Sequence, residues 1–365
     1  MQVSIQKAIS IFERCATPHR PYHVQWLITQ KCNYQCRGCN VWRNKHRVNE
    51  LGTEEVKRGL DILRKLGAIE IVFSGGNPLM RSDIGEILEY ASKHFITTIY
   101  DNGSKALDKI DVLRKADFVA ISLDSLDGKK HDYVKGVSGA WEKAMDAVMQ
   151  LHDEGVFVGV SPTISQFNID EIVDFTKYFV NLDVPVWYCL YWYDQPERNQ
   201  LFKIGRKVDE FEIVDKGKVV EVCDAILELK KKHRGIFITE RTLEALRNLF
   251  LYGKRTWRCQ ALQSFFMIDP QGRVAGCHLR EPVASIFELQ KMWNDEKFHK
   301  LRRKFEMCTR CAYLCYIFYS LYSDVRSNME IMLTQQRNVK LLIDNLLTAR
   351  GRSYVASSPV KANHR

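Results

Sequence analysis

Residues 23–42 read HVQWLITQKCNYQCRGCNVW. The first seven are dense in β-branched and aromatic side chains and give way to a polar run, which predicts a strand. Cys32, Cys36 and Cys39 follow at once in C-x3-C-x2-C spacing. Three thiolates so close in sequence can wrap a metal. A structural zinc wants four protein ligands, however, and no fourth Cys or His lies nearby. An open coordination position is implied, which suits a cubane iron–sulfur cluster held through three of its irons.

Outward from this stretch, β-rich runs alternate with amphipathic helices. AIEIVFS (68–74), ITTIYD (96–101), FVAISLD (118–124), VFVGVSPTI (156–164) and VPVWYCLYW (184–192) read as further strands. TEEVKRGLDILRKLG (53–67) reads as a helix, with Thr53 as N-cap, Val56, Leu60, Leu63 and Leu66 on one face, and Gly67 as its stop. Repeating βα order demands a parallel sheet. In a parallel βα barrel the cysteine run would occupy the loop at the C-terminal end of the first strand, where barrel active sites are built.

The 365 residues are 45% hydrophobic and 27% charged, an ordinary globular composition that excludes disorder of the whole chain. The longest uncharged stretches, 184–193 and 311–323, are too short to span a bilayer. The first residues lack the apolar core and cleavage site of a secretion signal, so a cytoplasmic protein is expected. Lys and Arg exceed Asp and Glu by 54 to 44, which suits an anionic partner. The basic residues are mixed with acids rather than gathered in a block, so solvated surface is the reading and no nucleic acid is expected.

Eleven cysteines in a reducing compartment point to metal or catalysis before disulfides. Eight fall into two groups: the first three, and Cys259, Cys277, Cys308, Cys311 and Cys315 in the last third. Cys15, Cys189 and Cys223 read as small buried hydrophobes. FFMIDPQGRVAGCH (265–278) carries the two apolar runs and central turn of a hairpin, and SIFELQKMWNDEKFHKLRRKF (285–305) reads as a basic amphipathic helix. The expected division is an amphipathic segment (1–22), a catalytic unit (23–199), a helical connector (200–255), a cysteine-rich α+β extension (256–323), a helix (324–349) and a basic tail (350–365).

CNYQCRGC after the first strand and SGGNP (Ser74 to Pro78) after the second resemble the radical S-adenosylmethionine (radical SAM) superfamily. Its clusters use C-x3-C-x2-C, and its methionine-binding motif is Gly-Gly-Glu-Pro. The resemblance covers about residues 23–195. It implies a partial (β/α)6 TIM-like barrel carrying a [4Fe–4S] cluster on Cys32, Cys36 and Cys39, with S-adenosylmethionine chelating the unique iron through its amino and carboxylate groups. Gly75 and Gly76 would let backbone carbonyls approach that ammonium, the alternative being a plain turn. Asn77 stands where the family has Glu, so a charge is lost, although an amide oxygen still accepts a hydrogen bond.

The same resemblance places Ser122 and Asp124 of ISLDS near the cofactor's ribose or methionine carboxylate, and Asn102, Ser161 and Thr163 lie at the same level; turn formation is the other reading of each. Gly38 occupies the position before the third cysteine where an aromatic is often seen, so adenine stacking is expected from Tyr34 or Trp42. The second cysteine group resembles the SPASM and twitch extensions, which carry auxiliary [4Fe–4S] clusters. Five cysteines are too few for two fully ligated clusters, so one is expected, on Cys259, Cys277 and two of the last three, with Cys308 and Cys311 the default. A zinc ribbon is the alternative.

The activity implied is reductive cleavage of the cofactor, with electrons from a flavodoxin or ferredoxin type donor. The resulting 5′-deoxyadenosyl radical would abstract hydrogen from an unactivated carbon. For the substrate, the amphipathic N-terminus and the aromatic run CAYLCYIFYSLYS (311–323) incline the reading to a long apolar membrane lipid, with C–C bond formation as one outcome and peripheral membrane contact. The N-terminal segment, with Phe12, and the aromatic residues around Tyr316 to Tyr322, with Phe318, are its expected entrance. The alternatives are a peptide- or protein-modifying SPASM-type maturase, and a non-catalytic iron–sulfur electron carrier. In the blander reading both features are ordinary packing.

Overall fold

The computed structural model describes residues 20–43, 48–192, 208–233 and 235–321. The expected helix 324–349, the basic tail, Phe12 and all but the last residues of the amphipathic segment lie outside them.

The chain runs β1 (His23–Thr29), α1 (Thr53–Leu66), β2 (Glu70–Gly75), α2 (Ile84–Ala91), β3 (Ile96–Asp101), α3 (Ile110–Leu113), β4 (Phe118–Ile121), α4 (Gly128–Lys135), α5 (Ala140–Asp153) and β5 (Val158–Val160). After these come β6 (Thr163–Ile164), α6 (Ile172–Asn181), β7 (Cys189–Leu190), α7 (Lys216–Lys232) and α8 (Glu240–Tyr252). The last third holds β8 (Phe265–Ile268), β9 (Arg273–Ala275), β10 (Ala284–Ser285), α9 (Ile286–Met292), α10 (Glu296–Glu306) and α11 (Leu314–Leu321).

β1 to β5 pair in parallel in chain order, as alternating βα units require. The wall continues through parallel bridges from Val160 to Val186 and from Val186 to Ile236. This is an α/β fold of the partial-barrel type. The run expected as one strand over 156–164 is broken at Pro162, which has no N–H for a ladder, and the run 184–192 contributes the Val186 bridges and β7.

Strands covered on both faces carry continuous apolar runs, and Val24, Trp26, Leu27 and Ile28 of β1 are all buried. Helix α1 lies over Trp26 closely enough that a Cβ on Gly59 would stand 2.6 Å from the indole. The helix stops at Gly67 as expected, in the left-handed conformation (φ 87°). Its N-cap is Gly52 rather than Thr53, whose hydroxyl donates instead to Asp83 at 2.7 Å.

The hairpin forms as expected, but β8 also pairs in parallel with β1, so the cysteine-rich extension continues the barrel's own sheet. Helix α11 packs back on this junction. Phe318 meets Trp187 edge-on at 4.8 Å, Tyr319 stacks on His23 at 3.5 Å, and Tyr316 stacks on Phe265 at 5.1 Å. The described part of the aromatic run read as a lipid entrance is therefore packed into this junction, with Leu314, Tyr316, Ile317 and Leu321 buried and Phe318 and Tyr319 partly so. Each such ring contributes about 2–3 kcal/mol by leaving water. No helix among the described residues is long and apolar enough to cross a membrane.

Candidate active site

The loop after β1 is seated from two sides. On one, Arg37 N–H donates to Val134 O at 3.0 Å, its guanidinium lies 3.8 Å over the Tyr133 ring, and Gly136 (φ 66°) comes so close to Gln35 O that a Cβ would clash. On the other, Gly76 N–H donates to Thr29 O at 2.8 Å and Asn77 N–H to Lys31 O at 2.7 Å. A Cβ on Gly75 or Gly76 would collide with the backbone oxygens of Thr29 or Lys31. What the structure shows for these two glycines is thus close packing against the cysteine loop, a role distinct from the expected approach to an ammonium. Trp42 ties the loop together by donating from Nε1 to Cys36 O at 2.9 Å.

Cys32, Cys36 and Cys39 are partly exposed at the loop surface. Burial of the sulfur environment pushes Cys36 up to about 12, Cys39 to about 11, and Cys32 upward as well. Thiols so placed ionise when a metal supplies the compensating charge. Among the described residues no three His, Cys, Asp or Glu side chains are gathered tightly enough to hold one ion. A lone zinc would need its sulfurs at about 2.3 Å from a common centre. A cubane spreads its thiolates over separate iron corners, and a soft all-sulfur set without a fourth partner fits it.

Behind the loop stands a set of amides. Asn77 Nδ2 donates to Asn33 Oδ1 at 3.2 Å and Asn102 Oδ1 at 3.0 Å, and Asn102 Nδ2 donates to Asn33 Oδ1 at 3.1 Å. Asn33 also donates to Ser104 Oγ at 2.7 Å. Asn77 Oδ1 accepts Leu79 N–H at 2.9 Å, capping the short turn at Pro78. A carboxylate at 77 could not donate the two amide bonds. Ser74 Oγ accepts from Gln25 at 2.9 Å. Tyr34, expected to stack on adenine, is 2% exposed and offers no free face, while the Trp42 indole lies under the Arg43 guanidinium.

The structure brings Ser122, Asp124 and Thr163 together around a residue the sequence reading missed. Lys135 Nζ pairs with Asp124 Oδ2 at 2.8 Å and donates to Ser122 Oγ at 2.6 Å, while Asp124 Oδ1 accepts Thr163 N–H at 2.9 Å. Burial is the largest single influence and alone would raise Asp124 and lower Lys135, but the neighbouring charges and hydrogen bonds together outweigh it, so Asp124 is held low and Lys135 high. Both carboxylate oxygens of Asp124 are thereby engaged within the protein. In GKKHDYVKG the lysine looks like any cation at a helix C-terminus, and only the fold sets it beside Cys36 and Cys39. Ser161 stands apart, its hydroxyl bonding towards Cys189 and Tyr100.

In the extension, Cys259, Cys277, Cys308 and Cys311 line one cavity, with Arg280 and Arg310 at its edge. Arg280 Nη2 lies 3.8 Å from Cys308 Sγ. Burial drives Cys259 up to about 12 and Cys277 upward too. Cys315 is not in that lining; Cys189 is its strongest electrostatic neighbour.

The family model of the radical SAM superfamily matches residues 26–179, which hold the first cysteine group, and that of the SPASM iron–sulfur cluster-binding domain matches 259–315, which hold the second. The chain carries a radical SAM domain and a SPASM domain. The two together bring a [4Fe–4S] cluster, S-adenosylmethionine and an auxiliary cluster as cofactors. A heme synthase from Nitratidesulfovibrio vulgaris is 28% identical over 170 residues, 45% of this chain and 46% of that protein. The subtilosin biosynthesis protein AlbA of Bacillus subtilis is 24% identical over 291 residues, 77% of this chain and 61% of that one. A heme synthase from Methanosarcina barkeri is 23% identical over 318 residues, 81% and 89% respectively. The chain thus matches about half the length of the first of these relatives. Streptococcus suis SuiB shares the fold, with a TM-score of 0.64 at 14% identity over 88% of this chain and 78% of that one.

Proposed function

We propose that this radical SAM protein abstracts hydrogen from a carbon of a peptide or protein substrate, as a SPASM-type maturase. The observation that carries the reading is the pair of separate cysteine sites: three thiols on the loop after β1, and four lining one cavity within the SPASM match. Likeness to AlbA, named for a bacteriocin's biosynthesis, supports a peptide. The lipid reading is not carried forward, because Phe318 packs edge-on against Trp187 at the edge of the core and the relatives are named for peptide and heme biosynthesis.

Cys32, Cys36 and Cys39 would hold the first cluster, and Cys259, Cys277, Cys308 and Cys311 the second. When bound, the cluster and S-adenosylmethionine supply the one-electron cleavage that makes an unactivated C–H bond breakable. The chain's own part is to orient. The two glycines and α4 seat the cysteine loop, Asn102 and Ser122 line the ends of the strands, and the Lys135 ammonium, with one hydrogen left beyond Asp124 and Ser122, would be available to the cofactor's carboxylate. A reduced flavodoxin or ferredoxin type protein is the donor such a site requires.

The two heme-synthase likenesses favour a second reading, a porphyrin bearing propionates, which the net positive charge also suits. Reconstituted protein with dithionite and S-adenosylmethionine separates them. Formation of 5′-deoxyadenosine stimulated by a peptide encoded beside its gene, with loss of hydrogen from that peptide by mass spectrometry, is the expected result. Stimulation by the porphyrin alone, with loss of its carboxylates, would replace the peptide reading.

A further inference from the structure

We propose that Asp101 carries the negative charge that Asn77 lacks, so that the ammonium of the cofactor's methionine is held by the end of β3 rather than by the turn after β2. The inference rests on the S-adenosylmethionine reading above.

Asp101 is the last residue of β3 and only 3% exposed. Its Oδ1 accepts Gly103 N–H at 2.7 Å, and Asn102 N–H and the Asn77 amide lie beside the carboxylate, but its Oδ2 is buried and completes no hydrogen bond of good geometry among the described residues. A buried carboxylate oxygen without a donor is expensive, and a fold that keeps one is most economically explained by a ligand that completes it. Nearby cations are already committed. Lys109 Nζ donates to the carbonyls of Leu79 and Arg81, and Lys135 is neutralised by Asp124. Asn77 is 1% exposed, uncharged, and has both amide hydrogens and its oxygen engaged.

A second buried polar atom comes from a different element. The Tyr34 hydroxyl, on the cysteine loop, is buried within reach of the Asp101 charge, has Ser104 as its polar neighbour, and completes no hydrogen bond of good geometry among the described residues. Its oxygen can accept a bond from a cation. The amide set joins the two elements, since Asn33 beside Cys32 bonds both Asn102 and Ser104 just past Asp101. An ammonium, with three donors, satisfies Asp101 Oδ2 and the Tyr34 oxygen together; a neutral ligand satisfies only part of the site.

The test uses cluster-loaded protein without reductant and measures, by calorimetry, binding of S-adenosylmethionine and of its analogue with hydrogen in place of the α-amino group. Asp101→Asn should weaken S-adenosylmethionine by roughly ten- to a hundredfold while leaving the analogue's affinity unchanged, with iron content equal to wild type. Adding Asn77→Glu to Asp101→Asn should recover much of the loss by returning the charge. Unchanged affinity for S-adenosylmethionine in Asp101→Asn, or equal loss for both ligands, would overturn the proposal. Wild-type protein that binds neither ligand would overturn the cofactor reading and the inference with it.

Discussion

Asp101 is held in the fold with its carboxyl pushed by burial from an ordinary 3.8 to about 6. The sign follows from linkage. Between about pH 4 and 6 the folded chain binds a proton that the unfolded chain releases, so this group favours folding below that window and its contribution is lost as pH rises through it. The displacement corresponds to roughly 2–3 kcal/mol. In cluster-free protein, Asp101→Asn should therefore raise Tm at neutral pH, and the gain should shrink towards pH 4; calorimetric scans at the two pH values check this. A stabilising substitution that weakens cofactor binding would be the mark of a site that trades stability for function. Lys135 behaves oppositely. Lys135→Met leaves Asp124 buried and unpaired, which costs about 3–5 kcal/mol, and Asp124→Leu in the same chain should recover most of it in urea titrations. Neither role was legible beforehand. Asp101 read as the end of a strand and nothing singled out Lys135, because burial and pairing belong to neighbours distant in sequence.

At the scale of elements, the cysteine loop depends on close approaches that admit no side chain. Gly76→Ala drives a Cβ into Lys31 O, so the loop must shift. Anaerobic reconstitution of wild-type protein should yield about eight irons, four per cubane, and Gly76→Ala should fall towards half of that with the auxiliary cluster retained. The extension gives a sharper contrast. Cys277→Ala should lose the auxiliary cluster while 5′-deoxyadenosine still forms, whereas Cys315→Ala, outside the four-cysteine cavity, should keep its full iron. Loss of iron in Cys315→Ala equal to that in Cys277→Ala would reassign the ligand set. The spacing of these cysteines allowed a cluster on two of Cys308, Cys311 and Cys315, with Cys308 and Cys311 the default; the turn of chain entering α11 is what carries Cys315 towards Cys189.

For the molecule as a whole, the extension and the barrel share one sheet, with β8 on the open flank of β1 and α11 packed against Trp187 and His23. Phe318→Asp places a charge in that junction and should lower Tm and solubility generally, whatever substrate is offered, which thermal scans and turnover assays on the same samples will show. A defect confined to one substrate, with unchanged Tm, would restore an entrance role for the aromatic run. The sequence by itself determined the βα order, the first strand and the cysteine loop on it, the glycine stop of α1, the hairpin and the family, because each is written in local periodicity, turn chemistry or close spacing. Only the tertiary structure decided that β8 extends the barrel, that the aromatic run packs into the junction, which four cysteines line one cavity, and that a buried carboxylate at the end of β3 lies near the cysteine loop with one oxygen unanswered. Those facts depend on pairings between residues far apart in the chain, and a linear pattern holds no term for which distant surfaces meet or which buried charges they leave unanswered.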